Sequence, residues 1–290
     1  MIVSRLIGGL GNQMFEYAAG RALALRHRTE LQLDTTQFDI DPLRSYALQP
    51  FRIEATVLTR EQSARLGLKA PAATKLGRLL ERLGGAPRIP LVKEKRYEFD
   101  PQVLQAPPTC CLQGYWQSPK YFAAAEPQIR AELVVREPLG GENLAMSRLM
   151  GGCASVSLHV RRGDYVDNAN TNRYHGVCGP EYYAAAEALL RERCGELRLF
   201  VFSDDPDWAQ ENLRFASPVT IVRHNGSQRD YEDLRLMSGC RHHVVANSTF
   251  SWWGAWLCPQ ADKIVVAPRN WFGEAAHGSA DLVPHAWVRL

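Results

Sequence analysis

The sequence of 290 residues predicts an α/β fold of two Rossmann-like, doubly wound domains facing a cleft. Three observations carry this. Residues 1–35 read as strand, glycine turn, helix and strand, one βαβ unit that implies a parallel sheet. The same alternation of apolar strands and helices resumes after residue 152. Between the two stretches, residues 136–152 hold one Pro and four Gly, which makes them the best candidate for a junction. Domains are therefore expected at 1–145 and 146–290.

The elements follow in order. Ile2 to Ile7 is an apolar run suited to a strand, and Gly8-Gly9-Leu10-Gly11-Asn12 is its turn. Met14 to Arg28 places apolar residues at helical spacing and ends in basic residues, as the helix dipole favours. Glu30 to Asp34 alternates as the next strand. In the second half, Ala154–Val160, Leu197–Phe202, Val219–Val222, His243–Ala246 and Ile264–Ala267 are expected strands. Glu181–Cys194, Tyr231–Cys240 and a Trp-rich segment after residue 251 are expected helices.

Composition narrows the function. Thirty-four Lys and Arg against 31 Asp and Glu leave a net charge of +3, which gives no case for a nucleic-acid partner. A 46% hydrophobic, 22% charged chain is not a disordered one. Seven cysteines without a C-x-x-C pair argue against a zinc ribbon and fit reduced thiols in a cytoplasmic protein. No apolar run of about 18 residues is present to span a membrane, and the opening residues lack the pattern of a signal peptide. Residues 69–96 are basic, with Leu76, Leu79, Leu80 and Leu83 at helical spacing. They read either as a helix resting on its own domain or as a peripheral contact with the anionic inner face of a membrane.

Chemistry gathers at three predicted strand ends, where open α/β sheets bind ligands. In the glycine turn, Gly9 and Gly11 let backbone approach a ligand, and Asn12 and Gln13 carry amides suited to sugar hydroxyls. The turn fails the dinucleotide fingerprint because Met14 stands at the third glycine; a tight turn without a ligand remains the other reading. In His159-Val160-Arg161-Arg162-Gly163-Asp164, strand alternation sends His159 and Arg161 to one face and Arg162 to the other. A guanidinium there can grip a diphosphate, with Asp164 orienting a neighbour; an Arg–Asp ion pair alone would also explain the pattern. In Asn247-Ser248-Thr249-Phe250-Ser251, small hydroxyl residues open a helix and can cradle a phosphate. Asp39-Ile40-Asp41 and Asp205-Pro206-Asp207 fit D-x-D, a pattern that can hold a divalent metal. His242 and His243, adjacent on a strand, point apart and do not share one. Cys110 and Cys111 read as packing.

Taken together, these segments resemble the bacterial-type α-1,2-fucosyltransferases of glycosyltransferase family 11. Gly-Gly-Leu-Gly-Asn-Gln-Met-Phe, His-x-Arg-Arg-Gly-Asp-Tyr, Phe202-Ser203-Asp204-Asp205 and Asn-Ser-Thr-Phe-Ser-Trp-Trp-Gly-Ala-Trp-Leu occur in that order and span nearly the whole chain. The resemblance implies a two-domain GT-B fold, with an acceptor-side N-terminal half and a nucleotide-sugar-binding C-terminal half. It implies inverting transfer from GDP-β-L-fucose to the 2-hydroxyl of a galactoside-terminated glycan, with no cofactor and no obligatory metal. It implies that Arg161 grips the β-phosphate and that His159 contacts the fucose or the phosphate. Asp233, five residues before Ser238, would read guanine, and Ser248, Thr249 and Phe250 would form the phosphate-binding turn. Arg161, His159 and Asn12 are thus the catalytic candidates. Gly9, Gly11, Arg161, Arg162, Asp164, Asp204, Asp233, Ser248, Thr249 and Phe250 are the donor-binding ones. No residue is clearly the base: Asp34 and Glu16 are candidates, and late deprotonation without a base is equally open. Glu16 stands where the family usually has Gln. The rivals are a metal-dependent glycosyltransferase using another nucleotide sugar, and a non-catalytic carbohydrate- or nucleotide-binding module. Acceptor and oligomeric state are not written in the sequence.

Overall fold

The computed structural model describes residues 1–68, 88–163, 177–272 and 280–290. The chain divides into two compact units, Met1–Arg136 and Glu137–Leu290.

The first unit is built on a five-stranded parallel sheet of β1 (Ile2–Arg5), β2 (Leu31–Asp34), β3 (Thr56–Val57), β4 (Leu91–Lys93) and β5 (Cys110–Gln113). Their order is β3-β2-β1-β5-β4. All four residues of β1 are buried, as expected for a strand covered on both faces. The expected α1 begins earlier than the spacing predicts and spans Leu10–His27. Gly9 is its N-cap, so Leu10, Gly11 and Asn12 form its first turn rather than a loop. Arg28 ends the helix in a left-handed conformation at φ 53°, behind the basic Arg26 and His27. The tight helix–strand approach that a third fingerprint glycine would allow is made instead by Gly20. A Cβ there would lie 2.1 Å from Ser4 Oγ. Cys110 and Cys111 pair with Ile2 and Val3 in the sheet. Both are fully buried, and all seven cysteines are free. Among the described residues the unit also holds two short helices, α2 (Arg60–Arg65) and α3 (Glu126–Glu132).

The second unit opens with α4 (Gly141–Gly151), inside the stretch read as a junction. The glycine pairs mark the two ends of this helix, while the residues between them are mostly good helix formers. Its parallel sheet comprises β6 (Ser155–Val160), β7 (Arg198–Ser203), β8 (Val219–Val222), β9 (His242–Val244), β10 (Val265–Ala267) and β11 (Val288–Arg289). The order β8-β7-β6-β9-β10-β11 is that of a dinucleotide-binding Rossmann fold. Alternation along β7 divides the core. Leu199 and Val201 join the cluster that includes Tyr183, Ala186 and Leu190 of α5 (Pro180–Cys194). Phe200 and Phe202 join Met150, Leu236, Met237 and Cys240 on the other face. The remaining α-helices among the described residues are α6 (Pro206–Asn212), α7 (Asp230–Ser238) and α8 (Thr249–Leu257). The tryptophans of α8 are core anchors: Trp252 and Trp253 are fully buried, and Trp252 Nε1 donates to the Leu282 carbonyl at 2.8 Å.

Candidate functional site

In the second unit the strand order reverses at β6, between β7 and β9, and this is the ligand-binding position of an open α/β sheet. Both motifs of this half emerge there. β6 delivers His159 and then Arg161, and the chain after β9 delivers Asn247 to Phe250 at the start of α8. The His159 and Phe250 rings lie 5.5 Å apart, which joins the two segments. His159 is 5% exposed, and its buried Nδ1 has no hydrogen-bond partner. Burial, reinforced by the Arg161 charge, pushes its pKa down to about 3, so the ring is neutral. Arg161 Nη1 meets Asp204 Oδ2 at 2.9 Å, and Asp204 Oδ1 accepts the Arg162 backbone N–H at 2.9 Å. Gly163 lies so close that a Cβ there would be 2.7 Å from Asp204 Oδ2. Arg162 is turned elsewhere, as alternation requires. Its guanidinium carbon sits 3.7 Å from the Trp208 ring centre, and its Nε is 3.7 Å from Asp205 Oδ2. Asp164 lies outside the described residues. Ser248 caps α8 in an extended conformation, and its side chain makes no hydrogen bond to the helix end. The positive end of the helix dipole lies at Ser248, Thr249 and Phe250, and the contact of Phe250 with His159 sets it next to the strand end that carries Arg161.

Asp233 lies on α7, and its Oδ1 accepts from Asn225 Nδ2 at 2.8 Å. Burial raises its pKa to about 6, against the lowering effect of Asn225. Ser238 closes the same helix by donating to the Arg235 carbonyl at 2.8 Å. Positions five apart are about 140° apart around a helix, so Asp233 and Ser238 do not share its face.

In the first unit the order reverses at β1, between β2 and β5. Gly8 has φ +73°, and a Cβ on it would lie 2.6 Å from Asn12 Nδ2. Asn12 Oδ1 accepts from Gln117 Nε2 at 3.1 Å, across from the chain after β5. That chain is held by Glu94, whose two oxygens accept the backbone N–H groups of Tyr115 at 2.7 Å and Trp116 at 2.9 Å. Trp116 is held in the left-handed region at φ 54°, a strained state for a tryptophan. Gly9 faces Arg44, whose Nη1 would be 3.7 Å from an added Cβ, and Gly11 is buried within α1.

Several expected roles are displaced. Gln13 is fully buried and engaged by its own fold: it donates to the carbonyls of Gly8 and Ser45 and accepts from Ala47 N–H. Asp34 is fully buried too, paired with Arg5 Nε at 3.0 Å and accepting from Ser63 Oγ at 3.0 Å. Its carboxylate is thus engaged by Arg5 and Ser63 inside the unit. Glu16 is also inside, with Oε2 accepting from Ile7 N–H at 2.9 Å and Oε1 unpartnered. Burial, with the nearby Glu94 adding to it, pushes Glu16 well above the usual carboxylate range. In the D-x-D patterns, Asp39 pairs with Arg60 while Asp41 accepts from Leu43 and Arg44 N–H groups. Asp205 caps α6 through Trp208 N–H, and Asp207 pairs with Arg223 at 2.6 Å. Among the described residues, no group of three or more His, Cys, Asp or Glu could hold a metal ion. Also among them, no helix is long and apolar enough to cross a membrane. Residues 69–87, most of the basic segment, lie outside the described residues. Sequence reasoning missed Glu94 and Gln117, which bond to the strand-end segments of the first unit, and Asn225, which bonds Asp233. Reading Cys110–Cys111 as a strand would have flagged Gln117 as a strand-end residue.

Residues 98–290 match the family model described as Glycosyl transferase family 11. An Escherichia coli alpha-1,2-colitosyltransferase is 32% identical, covering 100% of this chain and 99% of that protein. The Escherichia coli O-antigen biosynthesis glycosyltransferase WbnK is 33% identical over 99% of each. The mouse galactoside alpha-(1,2)-fucosyltransferase 1 is 29% identical, covering 98% of this chain and 71% of that one. Among solved structures, the fucosyltransferase NodZ from Bradyrhizobium superposes with a TM-score of 0.50 at 15% identity, over 90% of this chain and 95% of that one. Its likeness bears on the fold, which is α/β with two Rossmann-like units of the GT-B class. With motifs, strand order and full-length relatives in agreement, the chain belongs to glycosyl transferase family 11 and is a glycosyltransferase.

Proposed function

We propose that the enzyme transfers L-fucose from GDP-β-L-fucose to the 2-hydroxyl of a terminal galactoside, with inversion, giving an α-1,2 linkage. The observation that carries the reading is the 5.5 Å contact between the His159 and Phe250 rings, which brings the strand end that bears Arg161 to the start of α8 at one switch point. As the bond from the sugar to GDP breaks, negative charge grows on the β-phosphate. Arg161 and the N-terminus of α8 stabilise that charge. Neutral His159 borders the same place and offers a hydrogen-bonding ring nitrogen to the phosphate or the sugar. Asp233 pairs with guanine. The first unit takes the acceptor at its own switch point, where Asn12 and Gln117 present amides to sugar hydroxyls. With Asp34 ion-paired and Glu16 buried, the acceptor oxygen bonds to the oxocarbenium-like anomeric carbon as the bond to GDP breaks, and its proton then passes to solvent water. The donor side requires no metal.

A second donor is favoured by one observation, the full-length likeness to a colitosyltransferase. Colitose is fucose lacking the 3-hydroxyl, so the same site would serve GDP-colitose. Incubation with each donor and a panel of β-galactosides, with and without EDTA, tests both. An α-1,2-fucosylated product formed equally in EDTA is expected. Transfer only from GDP-colitose would replace the donor, loss in EDTA would restore the metal reading, and GDP binding without transfer to any acceptor would leave a binding module.

A further inference from the structure

We propose that Asn143 is a positioning residue for nucleobase recognition: it fixes which end of the Asn225 amide faces the Asp233 carboxylate, and so sets the selection of guanine. This rests on the reading of Asp233 as the guanine partner. Asn143 is 3% exposed and comes from α4, outside every nucleotide motif. Its amide and that of Asn225 face each other edge to edge. Asn143 Nδ2 donates to Asn225 Oδ1 at 3.0 Å, and Asn225 Nδ2 donates back to Asn143 Oδ1 at 2.9 Å. His224 Nε2 bonds the same Asn143 oxygen at 2.7 Å.

An amide nitrogen has two hydrogens. Asn225 uses one on Asn143 and the other on Asp233. If the Asn225 amide turned over, its oxygen would face the Asp233 carboxylate and its NH2 would face the NH2 of Asn143. Asn143 therefore forbids that turn. With a donor held on Oδ1, Asp233 stays an acceptor for the guanine N1–H and 2-amino group. Adenine, with an acceptor at N1, would meet repulsion.

The surrounding charges do not supply this control. Asp230 and Glu232 of the same helix both raise Asp233. Arg229 and Arg235 each lie 3.6 Å from a Glu232 oxygen. His224 is held by Asn143, α4 brings Glu142 and Arg148, and α8 brings no charged residue.

The test is titration of the full-length protein with GDP, IDP and ADP from pH 5 to 8. IDP lacks only the 2-amino group. In Asn143→Ala, GDP affinity should fall about tenfold or more, the loss of one hydrogen bond to a charged group. The GDP-over-IDP ratio should shrink towards one, and the pH midpoint of GDP binding should rise. Asn225→Ala should show the same losses and serves if Asn143→Ala does not fold. A purely structural role would lower GDP and IDP affinity together, and an unchanged ratio and midpoint in either folded variant would overturn the inference. A ratio lost in Asp233→Asn but kept in both asparagine variants would overturn it while leaving the Asp233 reading intact. A wild-type protein without preference for GDP over ADP would overturn both.

Discussion

Arg161 and Asp233 are the residues on which donor chemistry turns in this reading. Replacing Arg161 by Ala should lower kcat/KM by about 10²–10³-fold, as for loss of one donor to a developing oxyanion. The circular dichroism spectrum should be unchanged; near-wild-type turnover would remove the arginine from the mechanism. Asp233 gives a pH dependence of definite sign. Burial raises its pKa to about 6, and the ionised form is the one that accepts from guanine. Below that pH the carboxyl gains a proton, so KM for the donor should climb as acidity increases and level off above pH 7. Asp233→Asn should abolish that dependence along with most of the affinity. A flat wild-type profile between pH 5 and 7 would argue against this carboxylate. His159 and Arg161 were legible in the sequence because a strand fixes the alternation of its side chains locally. Asn143 was not, because its partner stands 82 positions away.

Two elements depend on contacts of a similar kind. The segment after β5 holds Trp116 in a left-handed state because Glu94 ties down its N–H and that of Tyr115. Glu94→Ala leaves both donors without their acceptor and should destabilise the protein by about 1–3 kcal/mol. It should also raise KM for a galactoside acceptor while leaving GDP affinity alone. Glu94→Gln, which keeps one acceptor oxygen, should fall between; thermal melts and acceptor titrations check both. Gly20 makes the second case. An alanine there would drive a methyl group to 2.1 Å from Ser4 Oγ, and such overpacking costs about 1–3 kcal/mol. An unchanged melting temperature in Gly20→Ala would show that α1 can lift from β1. The early start of α1 and the helix at 141–151 both escaped sequence reading for one reason. In the sequence glycine reads as loop, whereas here it stands at N-caps, at helix ends and at a close crossing.

At the scale of the molecule, the parallel character of both sheets was legible, since βαβ rhythm and doubly buried strands leave an unmistakable apolar pattern. The short strands β3, β4 and β11 were not, because two or three residues carry no period. Strand order has a consequence for how the chain is made. Ile2 pairs with Leu31 on one side and with Cys110 on the other. While the polypeptide is being synthesised, β1 therefore waits with one apolar edge bare until β5 has left the ribosome. Truncations ending before residue 110 should collect in the pellet on expression, whereas the full chain stays in the supernatant. An exposed edge of that kind invites capture by holdase chaperones, so the nascent N-terminal unit should be their client for as long as the second half of its own sheet is still being translated.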